Sequence, residues 1–281
     1  MTILVATGRF GMEDHNGRSS SQSRDAQFTA DRDEPGDSAA GTLRRRRSRA
    51  LTIGVAGALV VIAVVMIASN GPGSSALNSD QTAKSKEINA LLAGIPQSGN
   101  ALGYSRAPVT LQYFVDLQCP TARTFTLASL PYVTREWVRT GTVRIEFRSL
   151  RSVSGPEAFA TQQAAALSAG MQDKLWYFLE YFYHEQGPEN SDYVTASYLA
   201  SLARQVSDLN LAQWNEERDS PELAAQVTED EQLAHDAQLT GTPSFLVGLT
   251  GSTPIYRLGE SSSLGELQYF VRRVLHDQRS S

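Results

Sequence analysis

One run partitions this chain before anything else is read. Leu51 to Ala68, LTIGVAGALVVIAVVMIA, is 18 residues without a charge. As a helix it spans about 27 Å, close to the hydrocarbon thickness of a bilayer, so it is long enough to cross. Arg44, Arg45, Arg46, Arg47 and Arg49 stand directly before it, and no basic residue follows until Lys84. The positive-inside rule therefore places the N-terminus in the cytoplasm and everything after the run outside. A cleaved signal peptide is the alternative. The long leader, and the lack of a clean small-x-small site after Met66, favour an anchor.

The segments on either side of this span differ. Residues 1–49 are rich in Ser, Asp, Arg, Gly and Gln and poor in apolar side chains, so they read as a disordered cytoplasmic tail. Residues 50–69 form the transmembrane helix, and 70–90 a linker whose Ser/Gly/Pro/Asn stretch over 69–83 reads as a flexible tether. A short helix is expected from Lys84 to Leu92, ended by Gly94 and Pro96. The whole chain has 25 basic and 30 acidic residues. Nine and seven of these fall in 1–49 and none in 50–69, which leaves residues 70–281 with sixteen against twenty-three, a net of −7. A domain of that sign repels phosphate backbones, so nucleic acid is not an expected partner.

Within the folded part, Val109, Leu111, Tyr113 and Val115 alternate with Thr110, Gln112 and Phe114, the period of a strand covered on both faces. A helical pattern follows Cys119-Pro120, with Leu130, Val133 and Trp137 on one side, Gly141 after its end, and Pro131 as an expected bend. Val143, Ile145 and Phe147 then alternate with Arg144, Glu146 and Arg148. Strand, helix and strand in this order predict a parallel pair. From Pro156 to Leu239 strand alternation disappears, and helices are expected near 175–182, 191–206, 210–218 and 221–238. The last has Ser220 as cap and Pro221 at its first position. Strand pattern returns at Pro243 to Val247 and Ile255 to Leu258, followed by an amphipathic helix from Leu264 to His276. The fold class is α/β, interrupted by a helical block.

Cys119 is the only cysteine, which excludes an internal disulfide. At a strand end and helix start, its thiol faces the positive end of the helix dipole, which favours thiolate. The bland alternative is a small buried hydrophobe. Thr242-Pro243 is an X-Pro pair, where a cis peptide is cheap. An ordinary trans turn before an edge strand is the other reading. Asp116, three residues before Cys119, is either a proton acceptor for the thiol or a strand-end residue capping local amides. His15, His184, His235 and His276 show no ligand-like spacing, so no metal is expected, and none is singled out as a base for a Cys-His hydrolase. Trp176, Tyr177, Tyr181 and Trp214 read as core of the helical block.

Gly94-Ile95-Pro96-Gln97 leading to Ala107-Pro108-Val109-Thr110, FVDLQCP over 114–120 and GTPSFLVG over 241–248 together resemble the DsbA-like thiol-disulfide oxidoreductases. More narrowly, they are similar to the membrane-anchored thioredoxin-domain proteins of Gram-positive bacteria. The resemblance implies a thioredoxin fold over 91–278 with a helical insertion at about 156–239. It also implies Cys119 as the attacking sulfur, and Pro120, Thr242 and a cis Pro243 as the substrate-binding side. No cofactor is implied. The family pattern is Cys-Pro-x-Cys, whereas here Ala122 stands where the resolving thiol belongs. Disulfide exchange passes through a mixed disulfide that the second thiol breaks from within, and Ala122 has no sulfur to do so. The expected activity is therefore monothiol exchange, isomerisation or reduction of protein thiols outside the cytoplasm, with an external thiol as resolver. A redox-inactive thioredoxin-fold module that binds extended peptide is the alternative.

Overall fold

The computed structural model describes residues 72–280, apart from 190, 254, 255 and 261. The tail expected over 1–49 and the membrane span expected over 50–69 lie outside the described residues. Among the described residues, no helix is long and apolar enough to cross a membrane.

The first element is α1, Pro72–Leu92. It covers residues 72–83 of the stretch expected as a flexible tether, and the helix expected only from Lys84 begins twelve residues earlier. Proline is pre-organised for a first helical turn, and nothing in Ala83-Lys84-Ser85-Lys86-Glu87 stops the helix from extending back. Its C-terminal end is docked: Ile88, Leu91 and Leu92 are buried in the main core, and Lys84 Nζ lies 2.9 Å from Glu185 Oε1. Gly94, at φ +78°, supplies the left-handed residue that ends it.

A hairpin of β1, Gln97–Ser98, and β2, Ala101–Leu102, comes next, turning through Gly99-Asn100. Two-residue strands carry no alternation, which is why the sequence pattern missed them; the Gly-Asn pair was the available signal. The expected parallel pair is present, β3 (Val109–Val115) beside β4 (Val143–Ser149), with Val109 opposite Val143 and Val115 opposite Ser149. Strand β5, Ser244–Leu249, runs antiparallel on the other side of β3, and β6, Tyr256–Leu258, pairs with β5. The six-stranded order is β1-β2-β4-β3-β5-β6.

Between β3 and β4 runs one helical stretch, α2, built from Pro120–Thr124, Phe125–Ser129, Leu130–Val133 and Thr134–Val138, in which α-turns alternate with wider π-turns. The expected disturbance at Pro131 takes this form. Proline offers no N–H and its ring crowds the carbonyl four residues back, and the π-turn just before it opens the backbone there.

The helical block is α3 (Pro156–Gly170), α4 (Leu175–His184), α5 (Ala196–Ala203), α6 (Leu211–Glu217) and α7 (Pro221–Asp236). Ser220 caps α7 as expected, accepting from Leu223 N at 3.3 Å. Helix α5 starts later than the expected residue 191, because Thr195 is the residue that caps it, accepting from Tyr198 N at 3.1 Å. Trp176, Tyr181 and Trp214 are buried in this block and Tyr177 packs against it. The chain ends in α8, Leu264–Ser280, whose Leu267, Val271 and Val274 join α1, α2 and α4 in the core on one sheet face. The other face carries a smaller cluster of Phe114, Leu150, Leu246, Ala234 and Leu239 under α7.

Candidate active site

Cys119 is the N-cap residue of α2, with extended backbone (φ −71°, ψ 120°), and Pro120 takes the first helical position. The turn leading to it closes with Cys119 N donating to Asp116 O, and the first helical bond runs from Arg123 N to Cys119 O. Cys119 as a residue is 4% exposed, yet the groups around its sulfur are polar and its chain neighbours Pro120 and Thr121 are exposed. Its thiol donates to Thr242 O at 3.1 Å and lies 2.9 Å from Thr121 Oγ1. Thr121 Oγ1 itself donates to Thr242 O at 2.8 Å. Both lone pairs of one carbonyl are thus occupied from the first turn of α2.

That carbonyl belongs to a cis peptide, Thr242-Pro243. Pro243 sits just before β5, and β5 lies between β3 and β6, so the alternative of a trans turn into an edge strand does not hold. Residues 119 and 243, far apart in sequence, meet because β3 and β5 are adjacent with Phe114 opposite Ser244.

Asp116 is fully buried and accepts six hydrogen bonds. The donors are Gln118 N (3.1 Å), Ser152 N (3.0 Å), Val153 N (3.0 Å), Ser154 N (2.9 Å), Gln162 Nε2 (2.8 Å) and Ser154 Oγ. The Cys119 thiol is not among them. Of the two roles weighed for Asp116, the structure supports the amide-capping one and gives the proton-acceptor role no contact with the sulfur. Its side chain organises the Ser152–Ser154 loop, and Ser152 Oγ reaches Thr242 Oγ1 at 2.6 Å.

Ala122 is fully buried in the core. Beneath it, Tyr113 Oη lies 2.8 Å from Thr126 Oγ1 and donates to Ala122 O at 3.3 Å. Burial pushes the Tyr113 and Tyr183 phenols well above their ordinary range, so both stay neutral. His184 is half-buried and burial lowers its pKa, while His235 and His276 sit on exposed positions beside Asp236 and Asp277. None bonds to Cys119. Thr121, Ser152 and Gln162 were missed in the sequence. The hydroxyl at 121 was visible there, but the partners from 150 to 163 depend on where β4 ends.

The thioredoxin sequence family matches residues 97–252. This chain belongs to that family. Its helical block between β4 and β5 gives it the DsbA-like form of the fold. A probable disulfide bond formation protein D of Bacillus cereus is 21% identical over 203 residues, covering 72% of this chain and 89% of that protein. Among solved structures, oxidised BdbD of Bacillus subtilis matches with TM-score 0.54 at 20% identity, over 65% of this chain and 97% of that one. DsbA of Chlamydia trachomatis matches with TM-score 0.54 at 16% identity, over 64% and 92%. At these identities the two structures speak for the fold alone.

Proposed function

We propose that this DsbA-like protein performs thiol-disulfide exchange through Cys119 alone, on protein thiols and disulfides outside the cytoplasm. The observation that carries the reading is the sulfur at a helix start, 3.1 Å from the carbonyl that precedes cis Pro243, with a methyl group at Ala122 where a resolving thiol would stand. The relatives named as disulfide bond formation proteins support the chemistry class. In the proposed step, the Cys119 proton leaves to solvent and the thiolate attacks one sulfur of a partner disulfide. The Cys119–partner S–S bond forms, the old S–S bond breaks, and the departing thiolate takes up a proton. Cys119 is oxidised and the departing sulfur reduced. An external thiolate then attacks the mixed disulfide and releases Cys119, because Ala122 supplies no internal nucleophile. Pro120, Thr242 and Pro243 form the side against which the partner chain lies.

Extracytoplasmic placement and a single-pass anchor belong to the same proposal. They rest on the uncharged run Leu51 to Ala68 behind the arginine cluster.

The near-complete burial of Cys119 is what a redox-inactive peptide-binding module would also show. Capture separates the two readings. Oxidised, unfolded protein disulfides are incubated with the full chain and resolved with and without reductant. Adducts that persist in denaturant, vanish with reductant and fail to form with Cys119→Ser support exchange. Reductant-insensitive binding that Cys119→Ser retains overturns it.

A further inference from the structure

We propose that Asp116 is a positioning residue for the partner-binding side of the site, acting on Thr242 through Ser152; this rests on the Cys119 exchange reading above. Three successive backbone N–H groups, of Ser152, Val153 and Ser154, point at one oxygen of the Asp116 carboxylate, Oδ2. Such a row of amides makes an anion-binding concavity, and here the anion is a side chain of the same protein. The other oxygen takes Gln118 N and Gln162 Nε2 together with the Ser154 hydroxyl. Gln118 immediately precedes Cys119. One buried carboxylate therefore holds the loop after β4 and the approach to the sulfur in a single frame.

The loop passes that constraint on. Ser152 meets Asp116 only through its backbone N–H, and its hydroxyl is used elsewhere, 2.6 Å from Thr242 Oγ1. Thr242 is thus gripped twice: at its side chain by the loop that Asp116 fixes, and at its carbonyl by Cys119 and Thr121. A partner disulfide needs both its sulfur and its chain placed, whereas a small disulfide needs only the sulfur. Loosening Thr242 should therefore penalise peptide partners selectively.

The test uses the full chain and two reagents: the symmetric disulfide of thionitrobenzoate, and an extended peptide whose cysteine carries thionitrobenzoate. In each case the Cys119 thiolate attacks, a new S–S bond forms, and thionitrobenzoate leaves as the coloured thiolate. The readout is the ratio of the peptide rate to the small-disulfide rate. Ser152→Ala leaves all six Asp116 bonds in place at an exposed residue. It should lower the ratio about fivefold, the weight of one lost hydrogen bond, and Ser152→Thr should restore it. Asp116→Asn puts an amide donor against the row of N–H groups and should lower the ratio further. An unchanged ratio in Ser152→Ala, or equal loss on both reagents, overturns the proposal while leaving exchange through Cys119 intact. No colour from the unaltered protein with either reagent overturns the exchange reading, and this proposal with it.

Discussion

Glu180 lies on α4, 3% exposed, and its Oε1 has no hydrogen-bond partner among the described residues. Burial, reinforced by the nearby Glu87 carboxylate, lifts its pKa from 4.5 to about 8. The folded state therefore keeps this carboxyl protonated through neutral pH, while the unfolded chain releases the proton near pH 4.5. Between those values the native state binds more protons than the unfolded one, so stability falls as pH rises. The contribution is fully present below the unfolded pKa and lost once pH has passed the folded one. At about 1.4 kcal/mol per unit, the loss reaches about 3 kcal/mol by pH 7 and approaches about 5 kcal/mol above pH 8. Glu180→Gln keeps the shape and removes the titration. Urea unfolding of both proteins at pH 5, 7 and 8.5 should show the variant gaining on the unaltered protein as pH rises. Parallel stability profiles across that range would refute the argument that Glu180 is buried neutral.

Thr121→Val removes the hydroxyl that lies 2.9 Å from the Cys119 sulfur and could turn to donate to it once the thiol proton has left, and should slow iodoacetamide alkylation at mildly acidic pH about fivefold, with Thr121→Ser retaining the rate. Ala122→Cys places a second thiol one helical turn from the first. With a limiting dithiol as terminal reductant, insulin reduction should turn over faster in the variant, whose second thiol displaces the partner and leaves an internal disulfide for the dithiol to reduce, than in the unaltered protein, whose adduct waits for the dithiol itself. Leu92→Ala, at the docked end of α1, should cost about 2–5 kcal/mol in urea unfolding; a loss under 1 kcal/mol would mean α1 contributes little to the fold.

Much of the framework could be read from residues because its signals were local. The period of β3 and β4, the Ser220-Pro221 start of α7 and the apolar content of the helical block each follow from a few neighbouring side chains. The pairing of Cys119 with Pro243 was reached by the resemblance, and the adjacency of β3 and β5 explains it physically. What escaped was non-local or patternless. The start of α1 gave no apolar stripe, the β1–β2 hairpin was too short to alternate, and Asp116 looked like either of two things. Its donors lie 36 to 46 residues downstream, apart from Gln118, so only the folded chain shows that its oxygens are spoken for.

The methyl group of Ala122 sets a clock. A protein with two neighbouring thiols releases a captured partner on its own schedule, whereas under the exchange proposed for Cys119 the covalent complex would wait for a nucleophile to arrive. Its lifetime would then vary inversely with the ambient supply of small thiols, long in an oxidising medium and brief in a reducing one. Such a molecule would act as a tether whose grip reports the redox state around it.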